Sequence, residues 1–185
     1  MLRNSVYQWG TVAKTFHWVI AVWILGMFVL GWVMVNWPMS PTKIKLFVWH
    51  KSMGLTILSL VLMRLIWRMR NIDPESPRTM PPWEQRAARV THILLYVVMI
   101  AMPLSGWVIN SAANFPLKLY GAIPIPNIAP PGKALQTVAE GVHLTLFWTL
   151  SMLLAVHVGA ALRHHFVQRD DVLKRMLPFA RIGRR

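Results

Sequence analysis

No cysteine occurs in the 185 residues. That excludes a disulfide framework, a thiolate metal site and the CxxCH motif of covalent cofactor attachment, and it leaves the redox compartment unreadable from sulfur. Acidic residues are almost as scarce, six against 20 Lys and Arg, for a formal net charge of +14. All of them (Asp73, Glu75, Glu84, Glu140, Asp170, Asp171) fall outside the long apolar runs. A metal or proton transporter would need carboxylates inside those runs, so that reading is poorly supported. The basic charge does not indicate nucleic acid either. It flanks apolar stretches rather than forming a groove with interleaved aromatics.

What the chain has in abundance is apolar surface: 55% hydrophobic residues, mean hydropathy +0.44 and ten tryptophans. This is the composition of a membrane protein rather than a water-soluble domain. A helix crosses a hydrocarbon core of roughly 30 Å with about 20 residues. Four stretches qualify, at about 15–36, 46–67, 92–113 and 142–164. The second is the weakest, because Lys51 and Arg64 must sit near the interfaces and snorkel. The first is too long for a secretion signal and no small-residue cleavage site follows it, so it is expected to stay in the mature protein. The fold expected is all-α, a single transmembrane four-helix bundle over residues 1–185. Fifteen of the 20 Lys and Arg fall on the face that holds both termini. The positive-inside rule therefore predicts cytoplasmic N- and C-termini for a multi-pass membrane protein.

Tryptophans cluster where the runs end (Trp9 and Trp18, Trp37 and Trp49, Trp67 and Trp83), as amphipathic rings at headgroup level do. The connection 68–89 is proline-rich and charged and reads as a surface loop. The connection 111–141 carries Pro116, Pro124, Pro126, Pro130 and Pro131, which rule out a continuous helix. Pro103 predicts a kink in the third run. The basic, partly amphipathic C-terminal stretch from His164 is expected on the inner leaflet.

Histidines are the titratable groups that enter these runs. With the chain starting inside, His17 lies near the inner end of span one, His50 near the outer end of span two, His143 near the outer end of span four, and His157 toward its inner end. They sort by depth into an outer couple, His50 with His143, and an inner couple, His17 with His157. The fourteen residues between His143 and His157 bring the helix to within about 40° of four full turns and advance it roughly 21 Å, so both rings share one stripe. Gly54, four residues after His50, and Gly159, two after His157, remove bulk where a flat ligand would need it. Any single histidine near a span end is as well explained as an interfacial side chain. Four that pair by depth across three helices are not. Zinc wants four converging ligands, whereas each level offers two imidazoles and no acid or thiol. Two imidazoles on facing helices suit a haem iron, whose other four positions the porphyrin fills, so two b-type haems are expected, one per leaflet, with His17, His50, His143 and His157 as metal ligands. An iron with both axial positions taken has no vacancy for O₂, so outer-sphere electron transfer is the expected chemistry.

With these residues in place the chain resembles the bacterial cytochrome b561 family, over almost its whole length. The likeness is carried by HW at His17 and Trp18, WHKSMG with His50, RLIWR with Arg64, and THILLY with His92. EGVH, AVHVGAALRHHF and the tail RDDVLKRM extend it. The resemblance implies a four-helix bundle with the same two ligand couples. It also implies electron transfer from a periplasmic donor, superoxide in one branch of the family, to the quinone pool, with ubiquinone as acceptor. Other members are non-catalytic di-haem anchors for a hydrogenase or a formate dehydrogenase, and that is the alternative reading.

Two further sites complete the sequence-level picture. Seven residues past His157, two helical turns, His164 falls back on the same stripe and is a candidate for proton exchange at the inner haem's edge. Beside it, Arg64, Arg68, Arg163 and His92 could anchor helix ends in anionic lipid, hold haem propionates or contact a quinone, in that order. On the outer side Lys43, Lys45, Lys51, Lys118 and Lys133 face only Glu140. Such a field would steer an anionic donor, with Lys51 the best single candidate, although five loop lysines also make an ordinary solvated surface. The partners expected are the lipid bilayer, a quinone and a small anionic or protein donor, with self-association into a homo-oligomer left open.

Overall fold

The computed structural model describes residues 1–77, 80–178 and 180. Four long helices, α1 (Thr11–Asn36), α2 (Pro41–Met69), α3 (Pro82–Ala112) and α4 (Lys133–Arg163), are each long and apolar enough to cross a membrane. A hairpin, β1 (Leu117–Leu119) and β2 (Ile123–Ile125), stands between α3 and α4. After α4 come one π-helical turn (His164–Gln168) and a short α5 (Val172–Met176). The helices overrun the expected spans, most of all at the start of α3 and of α4, where the chain keeps helical hydrogen bonds beyond the apolar run.

Local chemistry sets the ends. Ser40 caps α2, its Oγ accepting from Lys43 N at 3.3 Å, and Pro41 occupies the first turn, where no N–H is needed. α1 begins after Gly10, which has no capping side chain. Instead the chain folds back, and the carbonyls of Met1 and Leu2 accept from Thr11 N at 3.0 Å and Val12 N at 3.4 Å. Only glycine fits there, since a Cβ on residue 10 would lie 2.4 Å from the Arg3 backbone. α3 runs through Pro103 and ends in a Schellman motif: Asn114 is left-handed (φ 55°), Asn114 N donates to Ser111 O and Phe115 N to Asn110 O.

α1 packs on α2, α2 on α3 and α3 most closely on α4. The backbone of α4 stands off from α1 and α2, and there side chains bridge the gap. The core is an apolar plug at mid-height, formed by Ile20, Ile24, Ile57, Val61, Leu95, Val98, Met99 and Leu150. Leu150 lies midway between His143 and His157 in sequence, so the plug separates the two histidine levels.

The two ends of the bundle are closed differently. At the terminal end, where the N-terminal segment and the tail after α4 lie, three segments are laced together. Asn4 Nδ2 donates to Ile72 O (2.8 Å), Glu75 N to Val6 O (2.9 Å), and Arg175 Nη1 to Glu75 O (2.6 Å). Lys14 Nζ and Trp18 Nε1 hold the tail through Leu177 O (3.1 Å) and Met176 O (2.9 Å). The C-terminal stretch, expected simply to lie on lipid, is thus fastened to α1 and to the α2–α3 connection. At the other end, the hairpin end, the strands lie against α2. Tyr120 N donates to the fully buried Ser52 Oγ at 2.8 Å, Tyr120 OH is 2.9 Å from Thr56 Oγ1, and the Tyr120 and Trp49 rings meet edge to face. Trp107 Nε1 pins the same loop through Pro126 O at 2.9 Å.

Candidate functional site: two histidine couples

α4 carries His143 and His157 on one side, and each finds a partner across the gap. At the hairpin end the rings of His143 and His50 of α2 have centroids 6.4 Å apart. At the terminal end His157 and His17 of α1 stand 6.2 Å apart. Two imidazoles bound trans to one metal, with bonds of about 2 Å and ring radii of about 1.2 Å, have centroids about 6.3 Å apart. Both couples have that spacing, and the stand-off of α4 from α1 and α2 gives the breadth a flat macrocycle needs. No cluster of three or more His, Cys, Asp and Glu able to hold a bare metal ion is found among the described residues. The donor set therefore fits a group that brings its own equatorial ligands.

The hairpin-end couple has a defined hydrogen-bond setting. Ser105 Oγ donates to Met102 O (2.7 Å), so it is free to accept from His143 Nδ1, 2.8 Å away. That fixes the tautomer with the proton on Nδ1 and leaves Nε2 as the lone-pair donor. The buried Nδ1 atoms of His17 and His50 make no hydrogen bond. Two glycines touch these rings: a Cβ on Gly106 would meet His143 Cε1 at 3.4 Å, and one on Gly31 would meet His50 Cε1 at 3.7 Å. These were not singled out from sequence, although both interrupt bulky apolar runs. Gly54 and Gly159 do not abut the rings. A Cβ on Gly54 would meet only Met27, and Gly159 faces open space.

Next to this couple, Lys51 reaches across to α3, its Nζ donating to Asn110 Oδ1 at 2.7 Å and lying 5.7 Å from the Phe115 ring centroid. Asn110 is held in turn by donating to Phe115 O at 2.8 Å. The ammonium thus has a neutral partner and keeps its field. Asn110 and Ser105 gave no sequence signal, because a single small polar residue in an apolar run has no period to reveal it.

The terminal-end couple is more crowded. His92 of α3 brings a third imidazole, its ring centroid 5.3 Å from that of His157. Arg64 and Arg68 lie over the Tyr96 ring, each 5.8 Å from its centroid. Arg68 pairs with Asp73 at 2.6 Å and Arg163 with Glu84 at 2.9 Å. Arg64 makes no ion pair among the described residues. The buried hydroxyl of Tyr96 also lacks a partner.

His164 differs from expectation. The α-helix ends at Arg163 and widens to a π turn at His164, so a count of two α-turns from His157 does not fix where the ring points. The ring is buried in an acidic clasp, with Nδ1 2.6 Å from Asp170 Oδ2 and Nε2 3.7 Å from Glu84 Oε2. Glu84, in the first turn of α3, also accepts from Gln168 at 3.3 Å. The turn closes at Arg169 in the left-handed region (φ 55°). Glu84 and Asp170 were missed as site residues because each lies outside the apolar runs and becomes a neighbour of His164 only through the fold.

The pattern of prokaryotic cytochrome b561 matches residues 8–179. The chain is 31% identical over 175 residues to cytochrome b561 homolog 2 of Escherichia coli K12, covering 94% of this chain and 93% of that protein. It is 32% identical to cytochrome b561 homolog 1 of the same organism and 30% identical to a Yersinia pestis protein named probable superoxide oxidase CybB. Each of these two alignments covers 129 residues, 70% of this chain and 73% of the relative. The chain belongs to the prokaryotic cytochrome b561 family, multi-pass b-haem proteins of the bacterial inner membrane that carry electrons.

Proposed function

We propose that this cytochrome holds two b haems, one between His17 and His157 and one between His50 and His143, and passes electrons from a periplasmic donor to ubiquinone. The observation that carries the reading is the pair of ring separations, 6.2 and 6.4 Å, at opposite ends of α4. A haem held by either couple would supply one-electron transfer.

The protein's own residues divide the remaining work. Fifteen of 20 basic residues favour a cytoplasmic terminal end, and so support a periplasmic hairpin end. Lys51, held by Asn110 beside His50, presents positive charge to an approaching anion, and superoxide is the donor whose chemistry this suits. The name of the Yersinia relative points the same way. At the terminal end Arg64, free of any ion pair among the described residues, is the side chain best placed for a propionate. Arg68 and Arg163 are already engaged by Asp73 and Glu84 and act mainly to hold helix ends. His92 and the clasped His164 are the groups able to deliver a proton when a quinone is reduced nearby. Gly54 and Gly159 leave space free of side chains beside α2 and α4.

A second reading, a di-haem anchor that docks a separate redox protein, is favoured by the apolar rim of the hairpin end, where Phe115, Ile123 and Ile128 are exposed. The test is to add superoxide to the oxidised, haem-loaded protein with a ubiquinone analogue present. Prompt haem reduction followed by quinol formation, slowed by salt, supports the first reading. No response from the isolated protein supports the anchor.

A further inference from the structure

The terminal end has a feature that the histidine couples do not use. Two adjoining hollows of about 520 and 310 Å³ share Arg3 and Trp67, forming one groove between the N-terminal segment and the end of α2. Its upper wall carries Arg3 and Arg70, both exposed and neither in an ion pair among the described residues. Trp67 lines both hollows. Its lower wall is Phe16, Met63 and Ile66, one or two turns into the apolar part of α1 and α2, with Met63 and Ile66 exposed.

We propose that this groove binds one anionic phospholipid, with its phosphate between Arg3 and Arg70 and an acyl chain along Phe16, Met63 and Ile66. The charge decides the class. A zwitterionic headgroup sets its own ammonium beside the phosphate and brings no net charge to two guanidinium groups, and free phosphate would leave the apolar wall unused. The bound lipid would clip the N-terminal segment, which already supplies the backbone cap of α1, to the end of α2. The site stands independently of the haem assignment.

The test uses the haem-loaded protein, stripped in detergent and titrated with dioleoylphosphatidylglycerol, dioleoylphosphatidylcholine or inorganic phosphate, with bound species counted by native mass spectrometry. Phosphatidylglycerol is expected to bind at one per chain, and the other two much more weakly. The R3Q/R70Q double variant is expected to bind phosphatidylglycerol roughly thirtyfold more weakly, two interfacial charges having been removed. Arg86→Gln, an exposed arginine at the same end but outside the groove, should change nothing. Equal weakening by Arg86→Gln, unchanged binding in R3Q/R70Q, or inorganic phosphate binding as tightly as phosphatidylglycerol would each overturn the proposal. A redox assay is not needed, so failure here is distinct from failure of the electron-transfer reading.

Discussion

The two ends of the bundle hold histidine couples of nearly the same spacing in unlike surroundings. At the hairpin end the couple is accompanied by a serine that sets one tautomer, two glycines against the rings, and a single lysine whose partner is a neutral amide. At the terminal end it is accompanied by a third histidine, an arginine and a tyrosine hydroxyl that have no ion pair and no hydrogen-bond partner among the described residues, and a clasp of Glu84, His164 and Asp170. The couples explain how a cofactor could be held at both ends. The surroundings explain why the ends need not do the same chemistry. A fixed ammonium on a neutral partner suits the arrival of an electron from an anion, whereas clustered imidazoles and carboxylates suit a reaction that takes up protons.

The largest effect expected from breaking this comparison is loss of a whole cofactor at one end. His143→Ala should remove the hairpin-end haem and leave the other, and His17→Ala the reverse, halving the haem content by pyridine haemochrome assay. Loss of both haems from either variant, with the protein still folded by circular dichroism, would contradict two separate sites. Next, Ser105→Ala takes the acceptor from His143 Nδ1 and should weaken haem retention at the hairpin end about tenfold, as loss of a partner to a metal-bound histidine does. Haem retention at the terminal end should not change, and equal loss at both ends would sever the link between Ser105 and His143. Lys51→Gln should slow haem reduction by superoxide several-fold at low salt and little at high salt, by stopped-flow absorbance. A salt-independent loss would assign Lys51 to packing rather than steering. The smallest effect is that of Glu84→Gln, which loosens the clasp around His164, Arg163 and Gln168. It should lower the thermal midpoint slightly and slow quinone reduction more than haem reduction by donor.

Much of this was legible in the sequence because it is periodic or long. Four apolar runs predict four helices, and four histidines sorted by depth predict two couples, since span length and a rise of about 1.5 Å per residue convert position into height. What was not legible depends on chain segments meeting in space. Glu84 and Asp170 lie 86 residues apart and clasp His164 only because α4 ends in a π turn and the tail folds back. Ser105 and Asn110 are single polar residues in an apolar helix, with no pattern to mark them. Gly54 and Gly159 were chosen for closeness in sequence to a histidine, but the glycines that touch the rings, Gly31 and Gly106, come from the neighbouring helices. The hairpin is equally hidden. Prolines around 116–131 exclude a helix, yet the turn depends on Tyr120 and Gly121 taking positive φ while Ser52 accepts from Tyr120 N.

The central claim is that each chain binds two haems, each between two imidazoles. The most direct measurement is the ratio of haem iron to protein in the purified, haem-supplied protein, taken with low-temperature electron paramagnetic resonance of the oxidised form. Two haems per chain with two distinct low-spin signals is the result predicted here. One haem, none, or a high-spin signal from an iron with an open position would contradict it.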